Sequence, residues 1–323
     1  MKRFQIPAYG SPPTLVETPT PIPGPREVRL RIAACGLNFA DLLMIEGKYQ
    51  ERPPLPVTLG MELAGTVEAV GPEVDAELTG RRVAVFAGSG GLAEQGCFPA
   101  ARCVPLPEAM TFADAAAFQV AYGTSHVALD HKARLQAGET LLVLGAAGGV
   151  GLTAVEIGKR MGARVIACAR GAERLAVAER AGADHLIDTD HADLRDAVLA
   201  LGGADVVYDP VGGDQFTAAM RACNPEARIL VIGFASGDAP RIKANHLLVK
   251  NLTVMGLYWG GYLAFRPEVL TDSLATLFQW YDEGLLRPHV SHTLPLERSA
   301  EGLDLLRTRK ATGKVVICMD QPA

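Results

Sequence analysis

The sequence predicts an α/β protein that joins a doubly wound parallel sheet to a small antiparallel β-barrel. Three observations carry this. The chain has 323 residues, more than one hydrophobic core ordinarily serves, so two domains are expected. Between about residues 140 and 256, short apolar runs alternate with amphipathic stretches whose apolar positions recur at helical spacing. The first hundred residues instead alternate apolar and polar with period two, punctuated by Pro and Gly. The barrel domain is expected over 1–119 and 261–323, and the parallel-sheet domain over 120–260.

Taken in order, "VRLRIAAC" and "GTVEAVG" read as half-buried barrel strands. "TLLVLG", "ARVIACA", "DHLID", "ADVVYD", "RILVIGF" and "LTVMGL" read as six strands of the second domain. Between them, "VGLTAVEIGKRMG", "ERLAVAERAGA", "ADLRDAVLALGG" and "GDQFTAAMRAC" carry helical spacing, which implies right-handed crossovers and a parallel sheet covered on both faces. After about residue 260 come a helix ("SLATLFQWYDEG"), a strand near "HTLPL", a helix ("SAEGLDLLRTR") and a last strand ("KVVICM"). This tail is too short for its own core, so it is expected to return to the first domain and leave a cleft between the two.

Composition excludes several classes. Formal net charge is −5 and no basic block stands out, which argues against a broad nucleic-acid surface. "MKRFQIPAYG" lacks the apolar core of a signal peptide, and the most apolar run, 141–155, is too short and Gly-rich to span a bilayer. Cytoplasmic localisation is expected. The six cysteines, at 35, 97, 103, 168, 223 and 318, form no CxxC pair, so neither disulfides nor a zinc knuckle is expected.

The stretch "LLVLGAAGGVG" (141–151) ends a strand and opens a helix. Glycines there would let the backbone approach a pyrophosphate, whose charge the free N–H groups of the helix start favour. The pattern is Ala146-x-Gly148-x-x-Gly151, with Gly149 and Val150 inside the turn, rather than a strict GxGxxG. A bare strand-to-helix turn is the rival reading; the six strand candidates favour a dinucleotide. The next strand ends "ACARGAER": Ala169 stands where an NAD site places a carboxylate on the ribose, and Arg170 and Arg174 follow. Two guanidiniums could grip a 2′-phosphate, so NADPH is favoured over NADH. Both arginines could instead be solvated, with Glu173 as a partner.

At this point the sequence resembles the zinc-independent medium-chain dehydrogenases/reductases of the quinone oxidoreductase type, the group that contains zeta-crystallin. The resemblance rests on "CGLNFADLLMIEGKY" (35–49), "LGMELAGTVEAVG" (59–71), "AYGTSHVAL" (121–129), "LGAAGGVG" (144–151), "VYDPVGGD" (207–214) and "KNLTVMGLYWGGY" (250–262). It implies a GroES-like substrate domain, a Rossmann domain, nicotinamide in the cleft between them, and a homodimer. Where zinc-dependent relatives carry catalytic Cys or His, this chain has Asn38, Met61 and Val120, which cannot form such a site. Cys35 stands three positions early, and a small buried thiol is its expected role. Without a Lewis acid the acceptor must already be electrophilic: a quinone or a conjugated carbonyl.

By the same resemblance, Asn38 and Tyr49 face the acceptor and offer hydrogen bonds to a developing oxyanion, the rival roles being a turn cap and a barrel aromatic. Thr124 matches a position near the nicotinamide, against a plain helix threonine. Gly233 and Phe234 follow the fifth strand at the ligand edge, although Phe234 could be ordinary core. Lys310 matches a basic position that reaches the cofactor phosphate in relatives, against a solvated lysine. Thr189 stands where relatives often have a Tyr over the adenine, which weakens the expected adenosine contacts. His126 is expected to be a packing histidine, and Glu62 a buried carboxylate held by neighbouring donors. The expected activity is NADPH-dependent reduction of quinones or activated alkenes. An enoyl-thioester (acryloyl-CoA-like) reductase and a crystallin-like dinucleotide-binding protein with little turnover remain open.

Overall fold

The computed structural model describes residues 1–319. The described chain divides into two compact units, the first made of Met1–Val120 with 280–319, the second of Ala121–Gln279.

The N-terminal part holds β1 (Lys2–Ile6), β2 (Thr14–Glu17), β3 (Glu27–Gly36), α1 (Phe39–Ile45), β4 (Val57–Thr58), β5 (Glu62–Val70), β6 (Arg82–Phe86), β7 (Gln95–Pro99), β8 (Cys103–Pro105) and α2 (Phe112–His126). The second unit continues with β9 (Thr140–Val143), α3 (Gly149–Arg160), β10 (Arg164–Ala169), α4 (Ala172–Arg180), β11 (His185–Asp188), α5 (Leu194–Ala200), β12 (Ala204–Asp209), α6 (Gly213–Ala222), β13 (Cys223–Val231), α7 (Ala244–Lys250), β14 (Thr253–Gly256), α8 (Tyr262–Phe265) and α9 (Pro267–Asp282). The chain ends with β15 (Val290–Pro295), α10 (Ser299–Arg307) and β16 (Lys314–Cys318).

In the first unit, one sheet runs β15-β16-β3-β5-β6-β8 with β7 also on β3, and a smaller one runs β2-β1-β4. The period-two pattern of β3 puts Val28, Leu30 and Ile32 in the core while Arg29 and Arg31 face outward. All pairings are antiparallel except β15 with β16, where the returning tail adds a parallel strand. Leu303, Val315 and Ile317 of that tail share one apolar cluster with Leu30, Leu63 and Val85.

The second unit is a six-stranded parallel sheet of order β11-β10-β9-β12-β13-β14. In chain order this is 3-2-1-4-5-6, so the order reverses between β9 and β12. The mouth of the sheet therefore opens at the carboxyl ends of those two strands. The covering helices follow the spacing read from sequence: Phe216, Ala219 and Met220 of α6 are all buried. Burying side chains the size of Phe216 or Met220 stabilises by about 1.5–3 kcal/mol each.

The two architectures match expectation, while the tail divides later than 261. Residues 261–279 fall in the second unit. The His126 Nδ1 to Ser273 Oγ hydrogen bond (2.9 Å) and an edge-on contact of His131 with Tyr262 (5.9 Å between ring centres) tie this segment to the helix that follows Val120.

Candidate functional site

The glycine turn joins β9 to α3 and is pinned to both neighbouring strands. Leu144 N–H donates to Tyr208 O (3.0 Å) and Ala146 N–H to Cys168 O (2.9 Å). A Cβ on Gly151 would collide with the carbonyl oxygen of Gly145, so only glycine lets the helix start this close to the turn. Gly148 differs: a Cβ there would meet a single atom, Gly145 O at 3.3 Å, a tight contact but not a collision. The first α-helical bond is Leu152 N–H to Gly148 O, which leaves the N–H groups of Gly149, Val150 and Gly151 without intrahelical acceptors. Ala146 is buried and offers backbone only. A glycine turn, N–H groups without intrahelical acceptors and a 12-residue helix behind them suit a pyrophosphate.

Sequence reasoning missed what holds this turn from beneath. Ser125 Oγ donates to Val150 O (2.9 Å) and hydrogen-bonds Thr153 Oγ1 (2.7 Å) and the Tyr208 hydroxyl (3.0 Å), while Thr153 Oγ1 donates to Ala121 O (3.0 Å). The neighbouring Thr124, expected near the nicotinamide, is largely buried. Three hydroxyls from separate elements have no common sequence signal.

At the carboxyl end of β10, Ala169 closes the strand, Arg170 is exposed and Arg174 half-buried. One strand away, Asp188 Oδ1 accepts the N–H of Gly171 (3.1 Å) and of Asp190 (3.1 Å), bonds that hold its carboxyl below the usual range. Across the reversal, the buried Asp209 ends β12 and accepts Val211 N–H (2.7 Å) and Gly212 N–H (2.9 Å) through Oδ1. Burial raises its carboxyl and those backbone bonds oppose the rise. Gly233 N–H reaches Asp209 O (3.3 Å), and Phe234 lies over the Gly212 turn, 45% exposed, which removes the core reading of that side chain.

The first unit holds a buried ionic cluster. Lys314 Nζ of β16 donates to Glu62 Oε1 (2.7 Å), Asn38 Oδ1 (2.8 Å) and Leu37 O (2.8 Å). Glu62 is fully buried; its Oε1 also accepts Asn38 Nδ2 (2.9 Å) and its Oε2 accepts Val120 N–H (2.9 Å). Asn38 Nδ2 donates in addition to Gly36 O (3.3 Å). Both amide hydrogens of Asn38 are thus committed within the cluster, rather than left free as the oxyanion reading expected. Asp41, in the first turn of α1, accepts Asn38 N–H (2.8 Å) and Gly60 N–H (3.1 Å); burial pushes its carboxyl up to about 6 against those two bonds. Burial also raises the Cys35 thiol well above its usual range, which keeps it protonated. Tyr49 packs half-buried against the apolar cluster, and Lys310 is exposed after α10. The three positions read as lost zinc ligands, 38, 61 and 120, are joined here: Asn38 and Val120 through Glu62, with Met61 buried next to it in the chain.

Comparison with known proteins agrees with both units. Residues 24–108 match the alcohol dehydrogenase GroES-like domain, and residues 149–277 match the zinc-binding dehydrogenase family. A mouse quinone oxidoreductase-like protein 2 is 40% identical over 305 residues, covering 93% of this chain and 87% of its own. A quinone oxidoreductase from Pseudomonas aeruginosa is 34% identical, covering 98% and 99%. A quinone oxidoreductase from Thermus thermophilus, solved also in complex with NADPH, superposes with a TM-score of 0.88 at 34% identity, covering 99% and 100%. With its GroES-like barrel, its doubly wound sheet and relatives of this identity over nearly its whole length, the chain belongs to the medium-chain dehydrogenase/reductase family, among the quinone oxidoreductase-like members.

Proposed function

We propose that the protein is an NADPH-dependent reductase of quinones or other activated carbonyl and alkene acceptors, working without zinc as a cytoplasmic homodimer. One observation carries the chemistry: the Lys314 ammonium lies 2.7 Å from Glu62 and 2.8 Å from Asn38, within the group of residues where a catalytic zinc would need its ligands. A divalent cation beside a buried ammonium is repelled, and an amide, a thioether and an isopropyl group supply no zinc set. The acceptor must therefore be electrophilic in its own right.

NADPH, when bound, supplies the hydride. Gly149, Val150 and Gly151 offer N–H groups to its pyrophosphate, with Ala146 and Gly148 shaping the turn. Arg170 and Arg174 would hold the 2′-phosphate, and Lys310 would add positive charge. Thr124, Gly233 and Phe234 would hold the nicotinamide side. Asn38 holds the acceptor wall, and Tyr49 offers its hydroxyl to the acceptor. Support for a dimer comes from β14, an outer strand paired on one side only, beside α7 with Leu248 and Val249 79% and 75% exposed. Among the described residues no helix is long and apolar enough to cross a membrane.

The test is NADPH oxidation with 9,10-phenanthrenequinone, a 1,4-quinone and an enoyl-CoA, each with and without chelator. Turnover of a quinone that survives chelation is expected. No turnover with any acceptor, or loss of activity on chelation together with one zinc per chain, would overturn the reading.

A further inference from the structure

Asn38 spends both amide hydrogens inside the first unit, on Glu62 and Gly36, so a carbonyl arriving there finds no free donor on that side chain. Gln119 presents the opposite case. It is 2% exposed, and among the described residues its Nε2 has no hydrogen-bond partner. Buried donors left in this state are uncommon, and each calls for a group that completes it. Gln119 lies on α2 three residues after Ala116, whose carbonyl oxygen abuts Gly36, and one before Val120, whose N–H bonds Glu62. Helical residues three and four apart share a side, and their side chains lean toward the helix N-terminus. Gln119 therefore lies within one turn of the α2 backbone groups that meet Gly36 and Glu62, the two acceptors of the Asn38 amide.

We propose that the Gln119 amide is the donor that the first unit presents to the acceptor's carbonyl oxygen, with Lys314, Glu62 and Asn38 as the rigid brace beside it. The proposal rests on the reductase reading above. Its ligand class is a quinone or conjugated carbonyl, whose oxygen gains negative charge as hydride arrives at carbon and so accepts a stronger bond from Nε2.

The experiment compares full-length wild type with Gln119→Leu and Gln119→Glu. Gln119→Leu is expected to lower kcat/KM for 9,10-phenanthrenequinone by about ten- to a thousand-fold, the range for losing one such donor. NADPH affinity, read by fluorescence titration, is expected to stay within two-fold. Its melting temperature is expected to hold or rise, because an apolar side chain of similar size removes an unpaired buried amide. Gln119→Glu is expected to lose as much activity, and more as rising pH ionises the carboxyl. Gln119→Leu with kcat/KM within two-fold of wild type would overturn the proposal. So would a melting temperature lowered by several degrees, which would mean that the amide is a structural group. If the wild type oxidises no NADPH with any of the three acceptor classes, the reductase reading fails, and the melting curves still judge Gln119. A lower value for Gln119→Leu overturns the open donor; an equal or higher one supports it.

Discussion

Lys314→Met removes one charge from the centre of the first unit while keeping most of the aliphatic stem. Glu62 is then left fully buried, its Oε1 deprived of the ammonium at 2.7 Å and its remaining bonds reduced to Asn38 Nδ2 and Val120 N–H. Breaking a buried ion pair on one side costs about 3–5 kcal/mol, because the survivor keeps its desolvation cost without its partner. The two remaining N–H donors favour the lower end, about 3 kcal/mol. At about 2–4 °C per kcal/mol for a domain of 150–250 residues, the melting temperature should fall by roughly 6–12 °C. Glu62→Gln combined with Lys314→Met removes both charges and keeps one acceptor, so it should recover most of that loss. Urea unfolding followed by tryptophan fluorescence, with m-values compared, measures all three proteins. A Lys314→Met protein within 1 kcal/mol of wild type, or a double variant no more stable than the single one, would refute the reasoning.

Three further outcomes are expected. Asp41, ordinarily near 3.8 and pushed up to about 6 in the fold, disfavours its own charged state; its contribution is full below about pH 4 and lost as pH rises through 6, about 3 kcal/mol at 1.36 kcal/mol per unit. Its side-chain carboxyl carbon should titrate near 6 by NMR, and a midpoint near 4 would show that the backbone bonds outweigh burial. Gly148→Val should leave the fold largely intact, since its backbone is extended and its Cβ meets only Gly145 O, at 3.3 Å, which a shift of a few tenths of an ångström relieves, yet block NADPH binding by titration; Gly151→Val should instead lower stability more, because its Cβ strikes Gly145 O. Arg174→Ala should weaken NADPH with little effect on NADH, Arg170→Ala more mildly, and Ala169→Asp should reverse the preference. Each charge-assisted bond contributes on the order of 1.5–3 kcal/mol before salt screening. Equal kcat/KM with both cofactors in the wild type would make the arginines surface charges.

What the sequence determined by itself is whatever depends on near neighbours in the chain. Period two fixed the buried face of β3, and helical spacing fixed that of α6. The glycines of 145–151 specify a turn that follows from local backbone geometry alone, and the apolar run ending at Ala169 closes its strand for the same reason. What only the tertiary structure decided lies between residues far apart. Glu62 and Lys314 are 252 positions apart, and no local pattern announces that they pair. Glu62, with Gly36, takes up the amide hydrogens of Asn38, which sequence resemblance had left free for an acceptor. Ser125, Thr153 and Tyr208 meet under the glycine turn only because α2, α3 and β12 pack together. Phe234, read at the ligand edge with ordinary core as the rival, stands exposed over the Gly212 turn, and packing buries Gln119 and leaves its Nε2 without a partner among the described residues. Side-chain hydrogen bonds and burial are properties of the packed chain, so they become legible only once distant segments are brought into contact.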